Sequence, residues 1–251
     1  MINVIKQGVA GIIQFLRPRE YVVKETAGRD GVDGRVVSYC DEHCHIAEQY
    51  RMVRTNLAYL SPDKPIKTIL ITSAQAREGK SVTAANLAMA LSQDKTKKIL
   101  LVDADFRRAA IHAIFSIKRN PGFSDIITGD ATVESFAAAP VVDNLYIIPT
   151  GSSDSHPSEL LISTRIKSIM DEFKRRFDYI IFDTPPALNF TSASELGSLC
   201  DAVILVVKAG VTQKGVLREA FISLGDAGAK PKATIITNTT HQLSYYYYYR
   251  S

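Results

Sequence analysis

Apolar runs that alternate with amphipathic segments fill most of this chain, and this alternation constrains its fold more than any other feature. Six of the apolar runs have about the length of a typical strand. They predict strands at residues 68–72, 99–103, 144–149, 179–183, 202–208 and 233–237. The segments between them predict helices at residues 41–60, 80–93, 157–176, 192–199 and 213–227. Continuously apolar strands that alternate with helices indicate a parallel sheet covered on both faces. We therefore predict an α/β fold with a doubly wound, mostly parallel sheet flanked by helices.

The segment before the first predicted strand has a different pattern. Residues 2–16 place isoleucine, valine and leucine at helical spacing, and Pro18 ends the pattern. This predicts a helical extension, which either packs on its own domain or lies as an amphipathic segment on a membrane or a membrane protein. Residues 24–36 are rich in glycine and charge, which is typical of a linker.

Composition limits the classes of function. The net charge of +4 is mild, and Lys and Arg do not concentrate with aromatic residues into the stripe that nucleic-acid binding requires. Three cysteines are too few for a disulfide framework, so we expect a reducing cytoplasm. No apolar run approaches the roughly 20 residues that span a bilayer.

The segment 69–81 has the order strand, loop and helix start that forms a phosphate-binding loop. Backbone N–H groups of such a loop, together with the helix N-terminus, bind anions. Lys80 would reach the β- and γ-phosphates and the Ser81 hydroxyl would bind Mg²⁺, although Ala74 stands where the strict pattern has glycine. We expect the nucleotide to be bound by Ala76, Arg77, Glu78, Gly79, Lys80, Ser81 and Val82.

Three carboxylates follow two other apolar strands. Asp103 and Asp105 lie two residues apart at the end of one predicted strand, and Asp183 ends another. Ligands of doubly wound sheets bind at this carboxyl edge, and like charges placed so close are costly unless a cation lies beside them. One of the first two could instead cap the following turn, but that role does not easily explain both. The three acids and Lys80 thus predict one site, with Asp183 as a metal ligand.

These motifs resemble those of the bacterial tyrosine kinase family of capsule and exopolysaccharide synthesis, a group of P-loop enzymes. The resemblance runs from about Glu42 to the C-terminus and rests on the three nucleotide motifs, residues 121–129 and 157–161, the helix pattern Glu48-x-x-Arg51-x-x-Arg54, and the terminal tyrosines Tyr245, Tyr246, Tyr247, Tyr248 and Tyr249. It implies a kinase domain over residues 41–240 and a tyrosine-rich tail over 241–251, and the pattern of the preceding residues predicts an N-terminal amphipathic helix and linker over 1–40.

The resemblance also implies roles for individual residues. Asp103 would accept the tyrosine hydroxyl proton, Asp105 and Asp183 would serve Mg²⁺ mostly through water, and Asn238 would contact adenine. ATP would bind at a subunit interface, and each tail would be phosphorylated by the neighbouring subunit of a ring built through Glu48, Arg51 and Arg54. The implied activator is a transmembrane polysaccharide co-polymerase, here a separate chain, which would place the protein at the inner face of the plasma membrane.

Departures from the family pattern leave other functions open. Arg77 stands where the loop usually has glycine, and Ser192 stands where many members carry Asp, so a nucleotide-binding regulator with weakened kinase activity is one alternative. A partition or division-site ATPase is another, although that class usually carries a lysine where this chain has Gln75. The charged side chains of the helix pattern could also be ordinary solvated pairs, and the tyrosine run could be only a sticky tail.

Overall fold

The computed structural model describes residues 11–16, 28–57, 59–61, 64–152 and 165–239, and one parallel sheet organises them. Its strand order is β1-β7-β6-β2-β5-β3-β4, and every neighbouring pair is parallel. The strands are β1 Gly11–Leu16, β2 Thr68–Ser73, β3 Ile99–Asp103, β4 Leu145–Ile148, β5 Tyr179–Asp183, β6 Ala202–Lys208 and β7 Ala233–Thr239.

Helices cover both faces of the sheet. They are α1 Val37–Cys40, α2 His45–Leu57, α3 Lys80–Ser92, α4 Ile111–Ile114, α5 Phe123–Thr128, α6 Val133–Ala137, α7 Arg165–Arg176, α8 Ser192–Gly197 and α9 Lys214–Asp226. Leu87 of α3 belongs to the apolar cluster on one face, and Phe173 of α7 belongs to the cluster on the other. All six residues of β2 are buried, as expected of a strand covered on both sides. The predicted α/β fold is confirmed.

The six strands predicted from the sequence match β2 to β7, with ends that differ by at most two residues. The predicted helices over 41–60, 80–93, 192–199 and 213–227 correspond to α2, α3, α8 and α9. Of the helix predicted over 157–176, the described part is α7, and residues 157–164 lie outside the described residues. The short helices α1 and α4 to α6 were not predicted, because four to six residues are too few to show a helical period.

Two predictions for the N-terminal segment need correction. Residues 11–16 form a strand that pairs with β7, and they are not part of the helix predicted over 2–16. Residues 2–10 of that predicted helix lie outside the described residues. Two adjacent isoleucines and a phenylalanine favour a strand wherever an open sheet edge offers backbone partners. The proposed linker is also not free of the domain, since Val32 and Val36 are buried in the core.

None of the helices in the described ranges is long and apolar enough to cross a bilayer. The parallel arrangement instead brings the carboxyl ends of all the strands to one edge. Asp103 at the end of β3 pairs in register with Asp183 at the end of β5, and β5 pairs with β2, which leads into the phosphate loop. The predicted site residues therefore meet at this edge.

Candidate active site

The loop between β2 and α3 has the backbone conformation of a phosphate-binding loop. Gly79 has φ of +96° and precedes the first residue of α3, while Arg77 has φ of +65°. Residue 77, where related loops usually have glycine, has a positive φ in this chain. Arg77 therefore occupies a left-handed conformation that costs about 1–2 kcal/mol for a residue with a side chain, and its side chain is exposed.

Lys80 begins α3 and forms an ion pair with Asp105. Lys80 Nζ lies 2.7 Å from Asp105 Oδ2, and the two side chains are 11% and 1% exposed. Burial acts to lower the pKa of Lys80, but the carboxylates of Asp183 and Asp105 outweigh it and raise the pKa above its ordinary value. The lysine is therefore held in its charged form at the position where a phosphate would bind.

The carboxylate of Asp103 is fully buried and holds the chain that follows β3. It accepts backbone N–H bonds from Asp105 at 3.1 Å and from Ala110 and Ile111 at 3.0 Å each. Burial raises the pKa of Asp103 above its usual value, although these hydrogen bonds oppose the rise. The turn-capping role considered for one of the two acids is shared by both, because Asp105 likewise accepts the backbone N–H of Arg108 at 3.0 Å. Asp103 is also the predicted proton acceptor.

Asp183 is fully buried, and neither of its carboxylate oxygens has a hydrogen-bond partner among the described residues. Burial raises the pKa of Asp183 to about 7, against the lowering influence of Lys80. A buried carboxylate without partners is costly unless a cation or its bound water satisfies it. No group of three or more His, Cys, Asp or Glu side chains in the described ranges could hold a metal ion by itself. This site therefore suits Mg²⁺ that takes its remaining ligands from phosphate and water.

The other predicted nucleotide contacts lie around the loop. Ala76 is exposed, Glu78 is buried and Val82 is half-buried on α3. Asn238 lies near the end of β7 with φ of +58°, where its side-chain amide donates to the backbone oxygen of Ala209 at 3.3 Å. Asn238 is exposed and separated from Lys80 by β6 and β2 in the sheet order.

Two contacts near the site were not predicted. The Glu78 carboxylate accepts a hydrogen bond from the Thr212 hydroxyl in the turn after β6. The guanidinium of Arg107 lies 4.4 Å from the ring centre of Phe190, joining the segments that follow β3 and β5. Thr212 and Phe190 belong to no motif, so only the folded arrangement identifies them.

The three residues predicted to form an oligomer interface differ in their surroundings. Arg51 pairs with Glu48 at 2.7 Å and also donates to the backbone oxygen of Glu42. Met52 beside them is 44% exposed. Arg54 instead donates to the backbone oxygen of Ala90 at 2.8 Å, so it satisfies a carbonyl in the last turn of α3 within its own chain. The predicted acceptors Tyr245 to Tyr249 lie outside the described residues.

Comparison with known proteins identifies the family of the chain. The family model described as AAA domain matches residues 66–218. The chain is 36% identical over 184 residues to the tyrosine-protein kinase YwqD of Bacillus subtilis, which covers 73% of this chain and 77% of the relative. It is 32% identical over 206 residues to the putative tyrosine-protein kinase CapB of Staphylococcus aureus, covering 81% and 90%.

Solved structures of kinase and partition proteins are also similar to this chain. The chimerical protein CapA2B2 superposes with a TM-score of 0.76 at 27% identity, covering 82% of this chain and 90% of that one. A putative plasmid partition protein of Borrelia burgdorferi, solved bound to AMPPNP, has a TM-score of 0.55 at 27% identity, covering 71% and 80%. The predicted family and enzyme class are confirmed: the chain belongs to the bacterial tyrosine kinase family, whose domain has the P-loop ATPase fold.

Proposed function

We propose that this protein transfers the γ-phosphoryl group of ATP to tyrosine hydroxyls, and that its own residues Tyr245 to Tyr249 are acceptors. The observation that carries the proposal is the pairing of Lys80 with Asp105 beside the buried, unpartnered carboxylate of Asp183. A fixed cation and a carboxylate ready for a metal ion are the parts that phosphoryl transfer requires, because the protein contributes mainly position and charge.

In the proposed reaction the tyrosine oxygen bonds to the γ-phosphorus, the bond from that phosphorus to the β-bridging oxygen breaks, and ADP leaves. Lys80 exchanges its contact with Asp105 for the phosphate oxygens and offsets their charge. Asp103 accepts the phenol proton, and the burial that raises its pKa favours this step. Ser81, Asp105 and Asp183 would hold Mg²⁺, which supplies charge neutralisation at the phosphates when bound.

The cellular role follows from the relatives. We propose that phosphorylation of the tail regulates polymerisation and export of capsule or exopolysaccharide, with a transmembrane co-polymerase as activator. The protein would then act in the cytoplasm at the inner face of the plasma membrane. Glu48 is exposed and Arg51 half-buried on α2, where their charged ends could meet a second copy. Several phosphates on one tail would repel and loosen such an assembly.

The direct test is a phosphosite map. Purified protein, with and without the cytoplasmic segments of its co-polymerase, is incubated with ATP and Mg²⁺, and phosphotyrosine is located by mass spectrometry. We expect phosphate on residues 245–249 of the wild type and none on Lys80→Met. An unmodified tail in the activated wild type, or modification that persists in the variant, would contradict the proposal.

Two other outcomes of that experiment select the alternatives. ATP-dependent dimerisation and hydrolysis without phosphotyrosine would indicate a partition-type switch, a class with which the chain shares its fold. Gln75 lies exposed where that class usually has lysine, which argues against it. Normal ATP affinity without transfer would indicate a regulator, as the strained Arg77 could produce.

A further inference from the structure

The buried glutamate of the phosphate loop connects that loop to two other strands. Glu78 is 2% exposed, and its carboxylate accepts the Gln75 backbone N–H at 2.9 Å and the Thr212 hydroxyl. Its backbone oxygen accepts the Thr237 hydroxyl at 3.0 Å. We call these contacts among Gln75, Glu78, Thr212 and Thr237 the Glu78 bridge.

Both threonines are themselves fixed. The Thr212 hydroxyl accepts the backbone N–H of Lys208, the last residue of β6, at 3.1 Å. The backbone oxygen of Thr237 accepts the N–H of Ala209 at 2.9 Å, and the Thr237 methyl group lies close to Gly79. The bridge therefore joins the phosphate loop to the turn after β6 and to the end of β7.

Strand order indicates what lies at those two places when ATP is bound. The carboxylates that would surround the γ-phosphate end or follow β3 and β5, on one side of β2, and Lys80 reaches from the phosphate loop to Asp105 on that side. A nucleotide with its γ-phosphate there and its β-phosphate on the loop has to extend its nucleoside to the other side of β2, toward β6 and β7. The exposed amide of Asn238 lies on that side, bonded to Ala209 in the same turn.

We propose that Glu78 is a positioning residue that holds the base-binding side of the site at a fixed distance from the phosphate loop. This inference rests on the proposed use of a nucleoside triphosphate. Glu78 then acts through Thr212 and Thr237 and need not touch ATP. Without the bridge, the loop still binds phosphate through its backbone, but the base contact and the phosphate contact are no longer made together at full strength.

The variants separate this role from a local one within the loop. Thr212→Val removes only the hydroxyl, and Glu78→Met removes both carboxylate bonds at similar volume. Glu78→Gln restores an acceptor for Gln75 and a donor for Thr212. Thr234→Val is the matched control, because Thr234 is a buried threonine of β7 that pairs with β1 and β6 away from the loop.

Affinities for Mg-ATP, Mg-GTP and Mg-pyrophosphate are measured by displacement of a fluorescent ATP analogue, and folding is checked by thermal unfolding. We expect Thr212→Val and Glu78→Met to weaken ATP about tenfold, the effect of one hydrogen bond to a charged group. In the same variants the preference for ATP over GTP should also fall, while the affinity for Mg-pyrophosphate should decrease less than about threefold. Glu78→Gln and Thr234→Val should bind ATP like the wild type. The double variant that combines Thr212→Val with Glu78→Met should bind ATP no more weakly than Glu78→Met alone.

Equal losses of ATP and pyrophosphate, unchanged ATP affinity in Thr212→Val, or additive losses in the double variant would overturn the inference. Failure of this inference can be distinguished from failure of the proposed function. A wild type that binds Mg-ATP but never modifies tyrosine disproves the transfer, and the bridge is still judged by the binding ratios. A wild type that binds no Mg-ATP disproves both.

Discussion

Asp103 and Asp183 lie directly opposite each other at the ends of β3 and β5, and both carboxylates are buried. Their surroundings nevertheless differ. Asp103 accepts three backbone N–H groups, whereas Asp183 has no hydrogen-bond partner in the described part of the chain. Burial raises the pKa of both. One acid is thus held in place by the protein, and the other is left for a ligand.

Asp183→Asn should separate stability from activity. The change removes a buried carboxylate that has no hydrogen-bond partner in the described part of the chain and whose charge only Lys80 offsets. The variant should therefore be about as stable as the wild type at pH 8 and should lose most Mg²⁺-dependent transfer. Thermal unfolding and phosphotyrosine formation, each with and without Mg²⁺, test this. Addition of Mg²⁺ should stabilise the wild type but not the variant. A strongly destabilised variant would show that Asp183 has a structural partner.

The same residue predicts how stability depends on pH. Because burial raises the pKa of Asp183 from 3.8 in the unfolded chain to about 7 in the folded protein, the folded state binds the extra proton between these values. The contribution of Asp183 to stability is therefore complete below pH 4 and is lost as the pH rises through 7. Relative to Asp183→Asn, the wild type should lose up to about 4 kcal/mol across this range, measured by urea unfolding. A constant difference would refute the assigned pKa.

Lys80→Met should weaken folding as well as transfer. It leaves Asp105, 1% exposed, without its cation, and breaking a buried ion pair by removing one partner costs about 3–5 kcal/mol. Lys98→Met on the exposed segment before β3 is a control with the same change of side chain. Urea unfolding and ATP binding are measured on both. Equal stability of the two variants would show that the Lys80–Asp105 pair is not maintained in solution.

Arg77→Gly should raise turnover, whereas Arg77→Ala should not. Glycine relieves the left-handed conformation at residue 77, while alanine removes the same charge and keeps the strain. The rate of tail phosphorylation at saturating ATP, compared among the three proteins, measures the effect. If both variants lose activity together, the guanidinium itself is needed for transfer and the conformation is not the limiting factor.

The oligomer prediction is best tested with Arg51 alone. Arg51→Ala removes a pair with Glu48 that is worth only a few tenths of a kcal/mol within the helix and a hydrogen bond to the backbone oxygen of Glu42. A fall in mass by light scattering, with an unchanged unfolding temperature, would therefore report lost assembly. Arg54→Ala should instead lower stability by about 1–2 kcal/mol, because the Ala90 carbonyl loses its donor. Unchanged mass in Arg51→Ala would remove α2 from the interface.

The sequence predicted those structural features whose cause lies within a short stretch of the chain. β2, β3, β5 and β6 each have an apolar centre, and the phosphate loop or an acid lies at the end of β2, β3 and β5, so both fold and motif positions could be predicted. The Glu78–Thr212 contact joins residues 134 apart, and no local pattern marks such a pair. β1 was missed because its conformation depends on the open edge of β7 and not on its own spacing.

The contact of Arg54 with Ala90 has a mechanical consequence. It attaches α2 to the far end of α3, and the near end of the same helix carries Lys80. With 13 residues, α3 is a rod of about 20 Å. A displacement of α2 would therefore be carried along α3 to Lys80 at its other end.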